Sequence, residues 1–305
     1  MADPRVSVGL PVFNGENYLD EAIASLVDQT FEDFEIVISD NGSNDRTQEI
    51  CEGWAARDPR IRYYRSSENR GAGWNFRRVF ELATGDLFRW AAHDDLVRPG
   101  YLAACVAALE THPAAVLAYP RADRINTEGG SIPVVYTDVD DPDRIKRLSA
   151  VMFDEVICLP VFGLIRSETL RRTGLMGSFD SSDRILLGEL ALHGTFTRVE
   201  EELFVSRVHP EASMRAYEDR FARGAWFDPA HDRITYMPNW RYNREWLRMM
   251  TRAGLTGSDR KRAYGLLLRW SKLKWRRLAF DPVRVVLEAI IAGSVRIIRH
   301  FQAYE

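Results

Sequence analysis

The sequence predicts an α/β fold in which a mostly parallel central sheet is flanked by helices and followed by a basic helical extension. Three observations carry this. Short, almost wholly apolar runs alternate with segments of helical spacing through the first half of the chain. Acidic residues stand at the ends of two of those runs, where open α/β sheets bind their ligands. Residues 233–305 hold 16 Lys and Arg against 5 Asp and Glu, although the whole chain carries only −3.

The elements follow in order. Residues 6–13 read as a first strand, apolar on both faces as buried parallel strands are. Residues 17–29 have helical spacing, with Leu19, Ile23, Leu26 and Val27 on one side. Residues 34–39 form a second buried strand, 45–56 a helix with Asp45 at its N-cap, and 61–64 a short third strand. The loop from Glu68 to Gly73 precedes a helix over 74–83; its glycines could admit a phosphate or simply turn the chain. Residues 87–92 are a strand, 99–110 a helix and 114–119 another strand. Residues 126–143 are polar, contain Gly129, Gly130 and Pro133, and read as a hairpin or loop. Residues 159–165 are expected as a buried strand, followed by a helix ending at Gly174, a helix over 182–192 and an alternating strand over 197–208. Charge and periodicity both change near 220–235, which sets the expected domain edge.

Bulk properties narrow the class. Forty-six per cent hydrophobic residues suit a globular core, and disorder is not expected. Cys51, Cys105 and Cys158 are odd in number and show no C-x-x-C pair, which reads as reduced thiols and not as a disulfide framework or zinc site. The first residues enter a strand without a signal-peptide pattern, and no apolar run reaches the roughly 20 residues needed to span a bilayer. A cytoplasmic protein is expected. Arg and Lys interleave with Trp240, Trp246, Trp270 and Trp275 over residues 240–280, and residues 283–298 are apolar apart from Arg284, Glu288 and Arg296, so that 240–298 is the stretch for a membrane contact. Three uses are open for this tail: a peripheral contact with the inner face of the plasma membrane, a helix packed on the body, or a homo-oligomer contact. Nucleic acid is not expected, since no recognised binding motif accompanies the charge.

The chemistry-bearing residues centre on Asp94-Asp95, two carboxylates after an apolar strand and His93. Such groups are costly to bury unpaired, so a divalent cation or a basic substrate is the natural partner; the alternative is an acidic pair capping the next helix. Asp40 is a second acidic strand end, and an Asx turn over Asn41-Gly42 is its plainer use.

The order Val8-x-x-Pro11-x-Phe13-Asn14, Gln29-Thr30, Ser39-Asp40-Asn41-Gly42-Ser43-x-Asp45, Asn69-x-Gly71, Gly85-Asp86 and Asp94-Asp95-x-x-x-Pro99 resembles family 2 glycosyltransferases of the GT-A fold over residues 5–215. The resemblance implies an inverting transfer of a sugar from a nucleotide diphosphate donor, a UDP- or dTDP-sugar first, to a saccharide or lipid-linked acceptor, assisted by Mn2+ or Mg2+. It implies a role in surface polysaccharide or glycolipid assembly. Residues 1–225 would be the catalytic domain and 226–305 the basic helical region. Asp94 matches the final Asp of the family's D-x-D motif and is the implied metal ligand, with Asp95 in support and His209 completing the site. Ala92 stands where the first Asp belongs, and His93 would replace part of it. Asp40 would read the base, Pro11 and Phe13 would pack on it, Asn69 and Gly71 would line the donor site, and Arg207 or Arg215 would steady the diphosphate. Asp183 is the implied general base, with Asp180 its rival. Two other readings are a donor-binding protein without turnover, which the Ala92 departure keeps open, and a nucleotidyltransferase, for which Asn14-Gly15-Glu16 is a poor phosphate loop.

Overall fold

In the computed structural model, which describes residues 3–154, 158–210, 220–230 and 237–287, the described strands form one mixed sheet. Its order is β3-β2-β1-β4-β8-β6-β9-β5, with β7 paired to β6. β1 (Val6–Val12), β2 (Phe34–Asp40), β3 (Ile61–Arg65) and β4 (Leu87–Trp90) run parallel. β6 (Ala115–Asn126) and β9 (Thr195–Val208) are also a parallel pair. β8 (Leu164–Arg166) joins β4 to β6 in the antiparallel sense, and β5 (Leu96–Val97) pairs antiparallel with β9.

β1 and β2 are buried at every position, which is why their sequences are mostly apolar; the buried Ser7 hydroxyl donates to Glu35 across the pair at 2.7 Å. Gly9 is the point of closest approach in β1: a Cβ there would lie 2.7 Å from the Phe88 ring and 2.8 Å from Val79. α1 (Leu19–Val27) and α2 (Thr47–Arg57) carry the crossovers from β1 to β2 to β3. α1 buries Leu19, Ala22, Ile23 and Leu26, the stripe its spacing predicts. α3 (Ala72–Leu82) then returns the chain across β1 to β4. The order therefore reverses between β1 and β4, and a crevice opens past their carboxyl ends. Pro11 sits beyond the last β1–β4 pair, Gly9 with Trp90, on the rim of that crevice.

The sequence expectations needed adjustment in the middle of the chain. The strand expected over 159–165 is a 3-10 turn, Leu159–Phe162, followed by β8; Pro160 suits the first helical turn, where a missing N–H costs nothing. The strand expected over 114–119 runs on to Asn126 and turns back through Gly129 (φ 78°) into β7 (Ser131–Ile132) as a short hairpin. α4 (Tyr101–Thr111), α5 (Arg144–Phe153) and α7 (Ser182–His193) cover the sheet, and α6 is only Ser167–Arg171.

The basic tail, as far as it is described, is packed on the body. Helices Pro238–Arg252 and Gly257–Leu273 share an apolar core with α5 and α7, built from Leu148, Ile185, Trp246, Met249, Leu267 and Trp270. Gly188 makes room for Trp246, whose ring would lie 2.6 Å from a Cβ at that position. Arg252 donates to Glu189 at 2.6 and 2.9 Å, and Arg144 pairs with Asp259 at 2.8 Å. The expected domain edge near 220–235 lies partly outside the described residues. Among the described residues no helix is long and apolar enough to cross a membrane.

Candidate functional site

The crevice between β1 and β4 is a cleft of about 840 Å³. Pro11, Phe13, Asn41, Asn69, His93, Asp94, Asp95, Arg207 and His209 all line it. The end of β1, the turn after β2, the loop into α3 with its first turns, the turn after β4, the 3-10 turn Leu159–Phe162 and the end of β9 all contribute to it. A second cavity of about 310 Å³, bordered by Arg5, Asp86, Glu110 and Arg166, lies at the amino-terminal ends of β1 and β4, away from the acid pair.

The acid pair divides its work. Asp94 Oδ2 lies 2.9 Å from His209 Nε2 in the cleft wall. Asp95 instead turns to the backbone and accepts from the Arg207 N–H at 2.8 Å. Burial, and then the Asp94 charge beside it, lifts the Asp95 carboxyl above the usual range, while the Arg207 amide and Ser206 hydroxyl oppose the lift. Arg207 pairs with Glu21 and lies 5.4 Å from the Tyr18 ring, which in turn stacks 4.4 Å from His209.

The acid at the end of β2 sits apart from the cleft lining. Asp40 is fully buried beneath the cleft and is not part of its lining. Its carboxylate accepts from Ser43 N at 2.8 Å, Tyr63 OH at 2.9 Å and Arg65 Nε at 3.1 Å, so its bonds are spent on the turn and on β3. The next residue, Asn41, reaches the cleft in its place: successive side chains leaving a strand point to opposite sides. Asn41 donates to Asn69 Oδ1 at 2.9 Å and to the Gly71 carbonyl at 3.2 Å, and accepts from Arg70 N at 3.0 Å. Asn69 and Gly71 are thereby held in one wall. Gly71 has φ 87°, and a Cβ on it would lie 2.5 Å from the Phe227 carbonyl.

Asp45, expected at the N-cap, stands one residue before it, since α2 begins at Thr47 with Arg46 at the cap; its carboxylate still accepts from Thr47 N at 3.0 Å and from Glu16 N at 3.0 Å. Burial would raise its carboxyl, but the hydrogen bonds from Thr47 and Glu16 outweigh it and hold the group low. His93 packs on Gly15, where a Cβ would lie 2.9 Å from its ring.

Asp183 does not reach the cleft lining. It sits in the first turn of α7 beside Cys158, behind the wall that Leu159 and Phe162 present to the cleft, and accepts from Arg184 N at 2.8 Å. Burial raises its carboxyl. Asp180 is held by Arg223 at 3.4 Å. Arg215 lies outside the described residues.

Sequence reasoning passed over Asn41, Tyr18, Asn75, Arg124 and Trp226, all of which line the cleft. Asn75 ties the two central strands together, donating to the Val12 carbonyl at 3.2 Å and the Ser39 carbonyl at 2.9 Å. Its signal was an amide inside an amphipathic helix, a poor place for Asn unless it is bonded. Asn14, with φ 52°, makes the left-handed turn out of β1 that Asn tolerates better than most residues.

Among the described residues no three His, Cys, Asp or Glu side chains converge as a metal cluster. Asp94 and His209 are paired with each other at 2.9 Å. A divalent ion at this corner would find one carboxylate and one imidazole, a donor set that suits Mn2+ better than the oxygen-seeking Mg2+.

Comparison with known proteins follows the same lines. Residues 7–173 match the model of Glycosyl transferase family 2. An uncharacterized glycosyltransferase of Rickettsia typhi is 38% identical over 96 residues, 32% of this chain and 29% of that protein. Glycosyltransferase GlyA of Streptococcus pneumoniae is 31% identical over 102 residues, 33% of this chain and 14% of that one. The matches thus span less than a third of either relative's length. In three dimensions the chain resembles residues 1–349 of S. aureus TarS in complex with UDP-GlcNAc, with a TM-score of 0.63 and 15% identity over 89% of this chain and 73% of that one. It also resembles the mannosyltransferase PcManGT of Pyrobaculum calidifontis in complex with GDP-Man and Mn2+, with a TM-score of 0.51 and 17% identity over 95% and 88% of the two chains.

Proposed function

The chain belongs to glycosyl transferase family 2, and from that premise we propose that its cleft binds a nucleotide diphosphate sugar and passes the sugar, with inversion, to a hydroxyl of a saccharide or lipid-linked acceptor. The observation that carries this reading is the Asp94–His209 pair, 2.9 Å apart at the switch point of the sheet. Departure of the sugar loads negative charge onto the diphosphate, and a catalyst must neutralise it. Asp94 and His209 would hold Mn2+ or Mg2+, which would supply that neutralisation. Arg207, with its backbone fixed by Asp95, adds a guanidinium at the same corner.

A uracil or thymine donor is favoured. Asn69 lines the wall shared with Pro11 and Phe13, and with its Oδ1 engaged by Asn41 and by the Gly71 N–H its NH2 is the group that can donate to a pyrimidine carbonyl. Asp183 is proposed as the base that takes the acceptor proton, since burial raises a carboxyl toward the range where it accepts one. A second reading, donor binding without turnover, draws on the placement of Asp183 behind the cleft wall.

Thermal denaturation with UDP, dTDP and GDP, each with and without Mn2+, tests the donor site. A ligand at a hundred times its Kd adds about 2.7 kcal/mol of stability. Stabilisation by UDP or dTDP that requires the ion supports the reading, and no shift with any nucleotide overturns it. Asp183→Asn separates the two alternatives. A transferase loses turnover by roughly 100-fold or more while keeping donor affinity, whereas a binding protein has no turnover to lose.

A further inference from the structure

Residues 275–287 form one helix whose amphipathicity is inverted. At 100° per residue, Trp275, Phe280, Val283, Val286 and Leu287 fall within an arc of about 140°. They are 53–60% exposed. The opposite arc, which faces the protein, carries Asp281 at 1% exposure and Arg284 at 7%, with Leu278 at 9%. A helix that simply packed on the body would place these groups the other way round.

Polar contacts fix the orientation. Asp281 accepts from Asn239 N at 2.8 Å, Trp240 N at 3.2 Å and Asn239 Nδ2 at 2.7 Å, and so caps helix Pro238–Arg252. The Trp240 indole donates to the Leu278 carbonyl at 2.8 Å. Rotating the helix to bury its apolar arc would break these bonds and leave a carboxylate without its donors. The outward apolar face is therefore built into the fold.

Charge selects what covers it. Residues 260–287 hold nine Lys and Arg and one acid, Asp281, and that acid is buried. Arg276 stands within the exposed arc, and Arg277, about 60° past its edge, is exposed as well. A two-fold contact with a second copy would set this cationic surface against itself. An apolar face rimmed by exposed cations and aromatic rings matches an anionic lipid surface, with acyl chains for Phe280 and Val283 and headgroup phosphates for Arg276 and Arg277. We propose that the exposed face of residues 275–287 docks the protein on an anionic membrane surface.

The test is co-sedimentation of the full chain with vesicles of phosphatidylcholine alone and of phosphatidylcholine mixed with phosphatidylglycerol. Binding to the anionic vesicles that weakens with added salt is expected. The double variant Phe280→Asp, Val283→Asp should lower vesicle affinity roughly tenfold or more, with the circular dichroism spectrum and nucleotide binding unchanged. Arg276→Glu with Arg277→Glu should weaken binding to anionic vesicles selectively. The proposal fails if the native chain stays in the supernatant with anionic vesicles, or if the apolar double variant binds as well as the native chain. It also fails if light scattering shows a dimer that Phe280→Asp dissociates, since a second copy then covers the face. Nucleotide binding is read separately, so failure of the lipid surface and failure of the donor site are distinguishable.

Discussion

Arg252→Ala should cost about 2–4 kcal/mol of stability, through the charge it leaves behind. Its partner Glu189 is 1% exposed and keeps one other described hydrogen bond, from Gly174 N at 2.9 Å. Breaking a fully buried ion pair by removing one member costs roughly 3–5 kcal/mol. The Arg252 side chain is 40% exposed, so water reaches the vacated position and lowers the figure. Glu189→Gln keeps an oxygen for Gly174 and an uncharged partner for Arg252, and should cost only about 1–2 kcal/mol. In the double variant the buried charge is gone, so the combined loss should fall short of the sum by at least about 1 kcal/mol. Urea unfolding of the four proteins, followed by circular dichroism, gives the cycle. Because the pair ties helix Pro238–Arg252 to α7, the native chain should also unfold in one transition. An Arg252→Ala loss below about 0.5 kcal/mol, or strict additivity, would refute the claim that this bridge docks the tail.

Other perturbations address the site and its frame. Asp94→Asn and His209→Ala should each abolish the Mn2+-dependent part of UDP or dTDP binding in titration calorimetry, and the double variant should lose no more than the worse single, because the two share one ion. Asp40→Ala should destabilise the fold by about 2–4 kcal/mol, since it strands Tyr63 and a partly exposed Arg65; Asn41→Ala should cost about 1–3 kcal/mol through its lost bonds to Asn69, Gly71 and Arg70 and, by releasing Asn69, weaken donor binding about tenfold, whereas donor binding weakened by Asp40→Ala and not by Asn41→Ala would return base reading to Asp40. Glu35 is buried, which raises its carboxyl, but bonds from Ser7, Arg62 and Thr84 more than offset this and hold it below its ordinary value of 4.5. A lowered carboxyl stabilises the fold above its unfolded-state pKa and loses that contribution as pH falls through the folded one. Stability should therefore decline below about pH 4.5, and Glu35→Gln should flatten that part of the urea-midpoint profile.

β1 and β2 were legible because burial on both faces keeps them mostly apolar; among their buried polar residues, Ser7 and Glu35 are bonded to each other across the pair. The site was legible less evenly. Asp94, Asp95 and His209 could be picked out because acids and a histidine at strand ends are chemically conspicuous. Asp40 and Asn41 could not be ranked, since both are polar and only the pleat decides which enters the cleft. Asp183 was found at a helix start, but its distance from the lining depends on the 3-10 turn at Leu159–Phe162, which reads as a strand by composition. In the tail the charge imbalance was plain, whereas the split of its tryptophans was not. Trp246 and Trp270 fill a core supplied by α5 and α7, and Trp240 and Trp275 face outward.

The pairing of Asp94 with His209 also bears on how the protein is made. The two residues are 115 positions apart, and β9, which delivers the histidine, is anchored beside β5 just after the acid pair. At ribosomal speeds of about 5–20 residues per second, roughly ten seconds separate synthesis of one from the other. During that interval Asp94 lacks its imidazole and Asp95 lacks the Arg207 amide. Whatever the pair does must wait until β9, the last described strand of the sheet, is laid beside β6.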